Sequence, residues 1–173
     1  PAIPPRRSAQ GLDPGRLSLL LAVLDRRAGF SAVATEVYAS VVGGVRLTEP
    51  GADLGVCMAV ASALVSSLAG TALAPDCVYF GEISLSGAVR PVSQTAQRLK
   101  EAEKLGFVGA LLPASSAELP KSSASRWTEI EDLPDLAIHA FDVLIVCRQV
   151  VAIVLVRPAV RLCDALVVAA VEP

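Results

Sequence analysis

Aromatic residues make up only 4% of this 173-residue chain, and histidine, methionine and tryptophan each occur once. That scarcity excludes an aromatic platform on which nucleobases could stack. Cysteines stand at 57, 77, 147 and 163, never in C-x-x-C spacing, and His139 has no cysteine pair nearby. A zinc site of the usual ligand spacing is thereby excluded, and the four thiols read as reduced and buried in apolar runs of an intracellular protein. There is no G-x-x-x-x-G-K-[ST] loop to cradle phosphates, so ATP hydrolysis is not assigned to these residues. Net charge is −2 and no long block of one sign occurs. Any nucleic-acid contact would need a local basic patch. The opening "PAIPPRRSAQGLD" has no initiator methionine and no secretory pattern, which leads to the expectation of a piece of a longer or processed protein.

What is abundant is aliphatic. Hydrophobic residues reach 53%, enough for a sizeable core built from Ala, Val and Leu. "GLDPGRLSLLLAVLDRRAGF" is punctuated as a helix, with Asp13 as cap, Pro14 in the first turn and Gly29 past the end. Leu17, Leu20, Leu21 and Leu24 form its apolar stripe, and Arg26 and Arg27 suit the negative end of its dipole. "EVYASVVGG" reads as a strand with a turn at Gly43-Gly44, and "ADLGVCMAVASALVSSLAG" as a buried helix stopping at Gly70. "DCVYFGEISLSGAVRPV" reads as a hairpin turning at Ser86-Gly87. "SQTAQRLKEAEKLG" is an amphipathic helix capped by Ser93 and stopped by Gly106, and "FVGALLP" is a buried strand. A Ser/Ala-rich loop covers 114–126, followed by a strand-like piece and a helix after Pro134. This order predicts an α/β fold, a mixed sheet flanked by helices. Residues 143–173 are apolar but interrupted by Arg148, Arg157 and Arg161, against a membrane span, which wants about 20 apolar residues.

Four segments carry a family likeness: "PPRRSAQGLDPGRLSLLLAVLDRRAGF", "VVGGVRLTEPGADLGVCMAVASAL", "VYFGEISLSGAVRPVSQTAQRLKEAEKLGF" and "ALLP". In this order they resemble the C-terminal, Lon-protease-like domain of the RadA/Sms family of DNA-repair proteins. The resemblance implies a Lon proteolytic-domain-like fold over 12–142. Residues 1–11 would lead in from an upstream ATPase domain, and 143–173 would be an apolar extension of unassigned role. It further implies a parent that is a RecA-like ring ATPase driving branch migration in recombination. ATP, Mg and Zn are expected only in that parent's upstream domains. Expected partners are single-stranded or branched DNA, further copies in a homo-hexamer ring, and a recombinase of the RecA type, with no membrane. The expected location is the bacterial cytoplasm, or a chloroplast or mitochondrion in a plant.

Active Lon-type proteases use a serine at the head of one helix and a lysine on a later one. The resemblance puts Asp53 at the serine and Ala96 at the lysine, so the peptidase positions are degenerate. Asp53 then reads as a helix-start carboxylate that accepts hydrogen bonds from free backbone amides. Ser62, Ser66 and Ser67 fall inside the buried helix, and His139 sits alone in "LAIHAF". The DNA-contact candidates are Arg6, Arg7, Arg16, Arg98, Lys100 and Lys104, from a basic set that also holds Arg26, Arg27, Arg46 and Arg90. Glu101 and Glu103 would partly neutralise the helical ones. The expected role is a non-catalytic oligomer platform with sequence-independent DNA contact. The alternatives are a pure oligomerisation scaffold and, disfavoured, an active serine/lysine peptidase.

Overall fold

The computed structural model describes residues 5–42, 45–69, 76–114, 116, 126–134, 152–153 and 166–171. Strand β1 (Arg7–Gln10) leads into helix α1 (Pro14–Val23), which widens into a π-helical turn over Leu24–Ala28. Strand β2 (Val37–Val42) follows, then a 3-10 turn (Pro50–Ala52) that runs into helix α2 (Asp53–Ala69). Next come β3 (Cys77–Tyr79), β4 (Glu82–Ile83), β5 (Val89–Arg90), helix α3 (Thr95–Lys104), β6 (Gly109–Pro113) and β7 (Arg126–Ile130). Strands β8 (Ala152–Ile153) and β9 (Leu166–Val171) complete the described elements.

Seven strands form one mixed sheet in the order β1-β2-β9-β8-β3-β6-β7, while β4 and β5 form a separate antiparallel pair. Strand β1 runs parallel to β2, and β3, β6 and β7 run parallel to one another. The α/β mixture predicted from the pattern is what the chain forms. Two stretches contribute more than expected. Arg7–Gln10, read as part of a lead-in segment, is an edge strand of the sheet. The apolar extension supplies β9, which pairs antiparallel with β2.

The two faces of the sheet are told apart by alternation, since successive strand side chains point to opposite sides. Tyr79 and Leu111 pack with α1 and α2 in the larger core, whereas Val78, Phe80, Ala110 and Leu112 pack with Leu99 and Ala102 of α3. The result is helices on both faces of one sheet. The stripe Leu17, Leu20, Leu21 and Leu24 is fully buried, as its spacing predicts. Each such leucine contributes about 1.5–3 kcal/mol by leaving water. Helix α1 is capped by Asp13, whose carboxylate accepts from the Arg16 amide at 2.7 Å.

The second predicted hairpin strand pairs correctly, but its first strand divides. Cys77–Tyr79 joins the large sheet, and the chain breaks at Phe80-Gly81 before β4 turns back on β5. Only glycine fits the break: a Cβ at Gly81 would lie 2.8 Å from Val89 Cγ1 and 3.2 Å from Pro113 Cγ. Ser93 does not cap α3. Gln94 takes the cap position in the left-handed region (φ 61°), and the Thr95 hydroxyl donates back to the Val92 carbonyl at 3.2 Å. The turn at Gly43-Gly44, the stop at Gly70, most of the 114–126 loop, and the helix after Pro134 with His139 lie outside the described residues.

Two acidic protons are buried in the larger core. Burial pushes the Tyr79 phenol well above its ordinary range, with Cys77 and Asp76 adding to it. Burial also raises the Cys57 thiol, and the Asp53 charge raises it further against the opposing pull of Arg16. The folded chain therefore keeps both groups neutral where the unfolded chain ionises them. Their contribution is complete below the unfolded values, about 8.5 and about 10, and is lost above them at about 1.4 kcal/mol per pH unit per group. The Tyr79 hydroxyl has no hydrogen-bond partner among the described residues. Urea unfolding of Tyr79→Phe should match or exceed the parent chain at pH 7 and show a shallower stability loss above pH about 10. An unchanged alkaline slope would show that the phenol ionises freely in the fold.

Candidate functional site at the head of helix α2

The loop Leu47–Glu49 feeds the 3-10 turn and then α2, and two backbone bonds fix where the helix starts. Gly81 donates to the Gly51 carbonyl at 2.9 Å, and Leu54 donates to the Gly81 carbonyl at 3.0 Å. A carbonyl from the break between β3 and β4 thus satisfies one of the first amides of α2, the task expected of an acidic side chain.

This leaves the Asp53 carboxylate for other partners, and the expectation that it accepts from its own helix is corrected. Its Oδ1 accepts from Arg16 Nε at 2.9 Å, and its Oδ2 accepts from Arg16 Nη2 and from the Ile83 amide at 3.1 Å. Arg16 Nη2 also donates to the Ile83 carbonyl at 3.2 Å. The pair is bidentate, the stronger form of a charge-assisted contact. The Asp53 side chain is 4% exposed and that of Arg16 35%. Hydrogen bonding to Asp53, with its charge in support, raises the Arg16 pKa against the cost of burial, so the guanidinium stays charged.

A second ion pair braces the same helix head from the other side. Arg98 Nη2 binds Glu49 Oε1, and Arg98 Nε donates to the Ser93 carbonyl at 3.0 Å. The Arg98 side chain is 2% exposed. Sequence reasoning gave no role to Glu49 or to the Ile83 amide. Glu49 lies one helical turn before Asp53 in "TEPGAD", but its partner is 49 residues on, and no local spacing announces it.

Between the heads of α1 and α2 lies a groove of about 550 Å³, whose polar wall is formed by Asp13, Arg16, Arg46, Thr48, Glu49 and Asp53. Its Asp53 carboxylate is held in place rather than free. A carboxylate held by three hydrogen bonds to a charged guanidinium and an amide is a poor nucleophile, because the pair stabilises its resting charge. Cys57, one turn further, is fully buried with its thiol held protonated. Ser62 is buried, and its hydroxyl has no partner, basic or otherwise, among the described residues. The side chains of Ser66 and Ser67 lie outside the described residues. Among the described residues no group of three His, Cys, Asp or Glu side chains could hold a metal ion. No helix among them is long and apolar enough to cross a membrane.

The sequence-predicted basic residues divide. Arg16 and Arg98, read as DNA-facing, are each paired with a carboxylate of the fold, Asp53 and Glu49, with Arg98 buried and Arg16 partly exposed. Lys100 and Lys104 are exposed on α3, and Lys104 Nζ pairs with Glu101 at 3.0 Å, as the i,i+3 spacing suggested. Arg6 and Arg7 are exposed, but their backbone is held by the sheet. The Arg6 carbonyl accepts from the Val37 amide at 3.0 Å, and Arg7 Nη2 donates to the Val33 carbonyl at 3.1 Å. Ala96 is half-buried on α3.

Fold and site together define a class: an α/β domain whose central helix starts at a buried ion pair. Comparison with known proteins then gives its relatives. The chain is 57% identical over 132 residues, 76% of its length, to the DNA repair protein RadA of Brucella abortus. It is 41% identical over 138 residues to the DNA repair protein RadA of Escherichia coli, and 40% identical over 134 residues to that of Rickettsia felis. This chain is therefore a relative of the RadA DNA repair proteins, and it spans 27–29% of their length. No protein-family model matches it.

Because Asp53 is buried and Arg16 is not, the two halves of the pair are unequal. Arg16→Met strands a carboxylate away from water and should cost about 3–5 kcal/mol in urea unfolding. Asp53→Asn leaves an arginine that can turn to solvent, and should cost about 1–2 kcal/mol. The double variant Arg16→Met/Asp53→Asn should recover at least half of the Arg16→Met loss. Equal losses in the two single variants, or additive losses in the double, would contradict a buried pair with Asp53 as its inner member.

Proposed function

We propose that residues 12–142 are a Lon-peptidase-like, non-cutting domain of a RadA-type recombinational DNA repair protein. In this reading the domain supplies part of the platform of a homo-hexameric ring and a sequence-independent contact to single-stranded or branched DNA. The observation that carries it is the 57% identity over 132 residues to a protein named for DNA repair. The non-cutting half draws support from Asp53, which stands where the resemblance puts a nucleophile and is committed to Arg16 and Ile83. Ala96, where the resemblance puts the activating lysine, has no proton to take or give. The ATP, magnesium and zinc chemistry of such a parent, and any exchange with a RecA-type recombinase, belong to the parent as a whole. The bacterial relatives support a bacterial cytoplasmic setting.

One observation favours a second reading, a pure oligomerisation scaffold. Two of the six candidate cations, Arg16 and Arg98, are already paired with carboxylates of the fold. The DNA reading then rests on Arg6, Arg7, Lys100 and Lys104.

Anisotropy of a labelled single-stranded oligonucleotide across a salt series separates the two. The DNA reading expects affinity to fall with salt at a log–log slope of about −0.7 per phosphate contact. The pairs Arg6→Ala/Arg7→Ala and Lys100→Ala/Lys104→Ala should each weaken binding about 3–10-fold and flatten that slope. Binding that ignores both salt and these variants, beside a ring-sized mass in light scattering, would leave the scaffold. Casein should not be degraded, and degradation abolished by Asp53→Asn would overturn the non-cutting half.

A further inference from the structure

We propose that the groove between the π-helical turn after α1 and the tip of the β4–β5 hairpin docks an acidic, aliphatic peptide segment of a partner protein. The groove measures about 430 Å³ and is lined by Leu19, Ala22, Val23, Arg26, Arg27 and Leu85. Leu85 is 72% exposed, against 38–47% for the other exposed large hydrophobic residues described. It is held in that position. Gly87 donates to the Ser84 carbonyl at 3.0 Å, the Ser84 and Ser86 hydroxyls lie 2.8 Å apart, and Leu133 donates to the Gly87 carbonyl at 2.9 Å. Gly87, with φ 90°, sits so close to the Arg27 stem that a Cβ there would lie 3.0 Å from Arg27 Cβ and Cγ. The hairpin tip therefore presents a fixed leucine beside a fixed arginine stem.

Arg26 and Arg27 occupy consecutive positions of the π-helical turn, and both are exposed. Among the described residues neither has a carboxylate within ion-pair distance. The negative end of the helix dipole accounts for cations at this point. It gives no account of a leucine presented opposite them from a separate element. An aliphatic side chain laid on Leu19, Val23 and Leu85, flanked by carboxylates on Arg26 and Arg27, satisfies both halves of the groove. Nucleic acid would use the arginines but not Leu85, and no aromatic ring lines the groove for base stacking.

The test is anisotropy of a fluorescein-labelled peptide alternating aspartate and leucine, titrated with this chain at low salt. The expected result is saturable binding that weakens about tenfold or more in Leu85→Asp and in Arg26→Glu/Arg27→Glu, while Lys100→Ala/Lys104→Ala leaves it unchanged. All five substituted positions are on the surface, and circular dichroism should report an unchanged fold. Failure to bind the peptide, or binding indifferent to Leu85→Asp, overturns the proposal. So does single-stranded DNA binding that depends on Arg26 and Arg27 but not on Leu85. A fall in particle mass caused by Leu85→Asp without peptide binding would assign the groove to a second copy of the chain and overturn it equally. None of these outcomes depends on the DNA-repair reading, which its own salt series tests.

Discussion

A carboxylate carried into the interior must be met there, and Asp53 is met by Arg16. That single requirement ties together three elements far apart in the chain. Arg16 comes from the first turns of α1, Asp53 opens α2, and the Ile83 amide and carbonyl complete the contact from β4. Ion pairs of this kind do not add much stability over a well-packed apolar substitute, but they are intolerant of rearrangement, because each misplacement strands a charge. Their physical effect is on geometry. With the pair in place, α1 cannot slide along α2, and the β4–β5 hairpin cannot lift away. The Gly81 carbonyl is then presented to the Leu54 amide, and the starting point of the most buried helix is set.

The same logic explains where the cations went. Arg98 repeats the arrangement on the opposite flank, reaching Glu49 from α3. Helices from both faces of the sheet are thus linked to the short stretch Glu49–Asp53, which carries two carboxylates within one turn of chain. In a chain with little net charge, a guanidinium held by an internal carboxylate is less available at the surface: Arg98 is buried, and Arg16 is only partly exposed. The exposed cations are dispersed: Arg6 and Arg7 near the sheet edge, Arg46 ahead of α2, Arg90 on β5, Lys100 and Lys104 on α3, Arg26 and Arg27 beside an exposed leucine. The molecule's electrostatics are local, and each patch is set by its own neighbours.

Much of the fold was legible because it rests on local rules. The Leu17–Leu24 stripe, the Asp13 cap, the alternating "VYASVV" and the turn at Gly87 each follow from periodicity or from the conformational preference of one residue. The site was only half legible. That Asp53 heads a helix could be read; that Gly81 takes over its capping task could not, since it depends on a backbone brought from 28 positions away by a glycine-only break in the strand. Nor could the spacing along α3 distinguish Arg98 from Lys100. The two are neighbours in a sequence pattern, yet one faces the core and the other faces water, because the helix turns about 100° per residue and only tertiary packing chooses the inward side. Ser93 looked like a cap by residue type, and lost the position when Gln94 took the left-handed conformation that starts α3.

The head of α2 finally shows how one backbone arrangement can be put to opposite uses. A helix N-terminus favours negative charge whether that charge is permanent or appears during a reaction. A hydroxyl nucleophile at this point would need access to substrate and a neighbouring base able to take its proton. Asp53 has neither need. Its charge is already present, it is neutralised by a guanidinium that hydrogen bonding keeps protonated, and it is shielded from water. The features that would make the position reactive, exposure and an unsatisfied proton acceptor, are the ones the Arg16 pair removes. The helix dipole that could have served a transition state instead stabilises a resting ion pair, and the gain is a rigid junction between α1, α2 and β4. The surfaces that remain for function are the ones the junction positions at its edges.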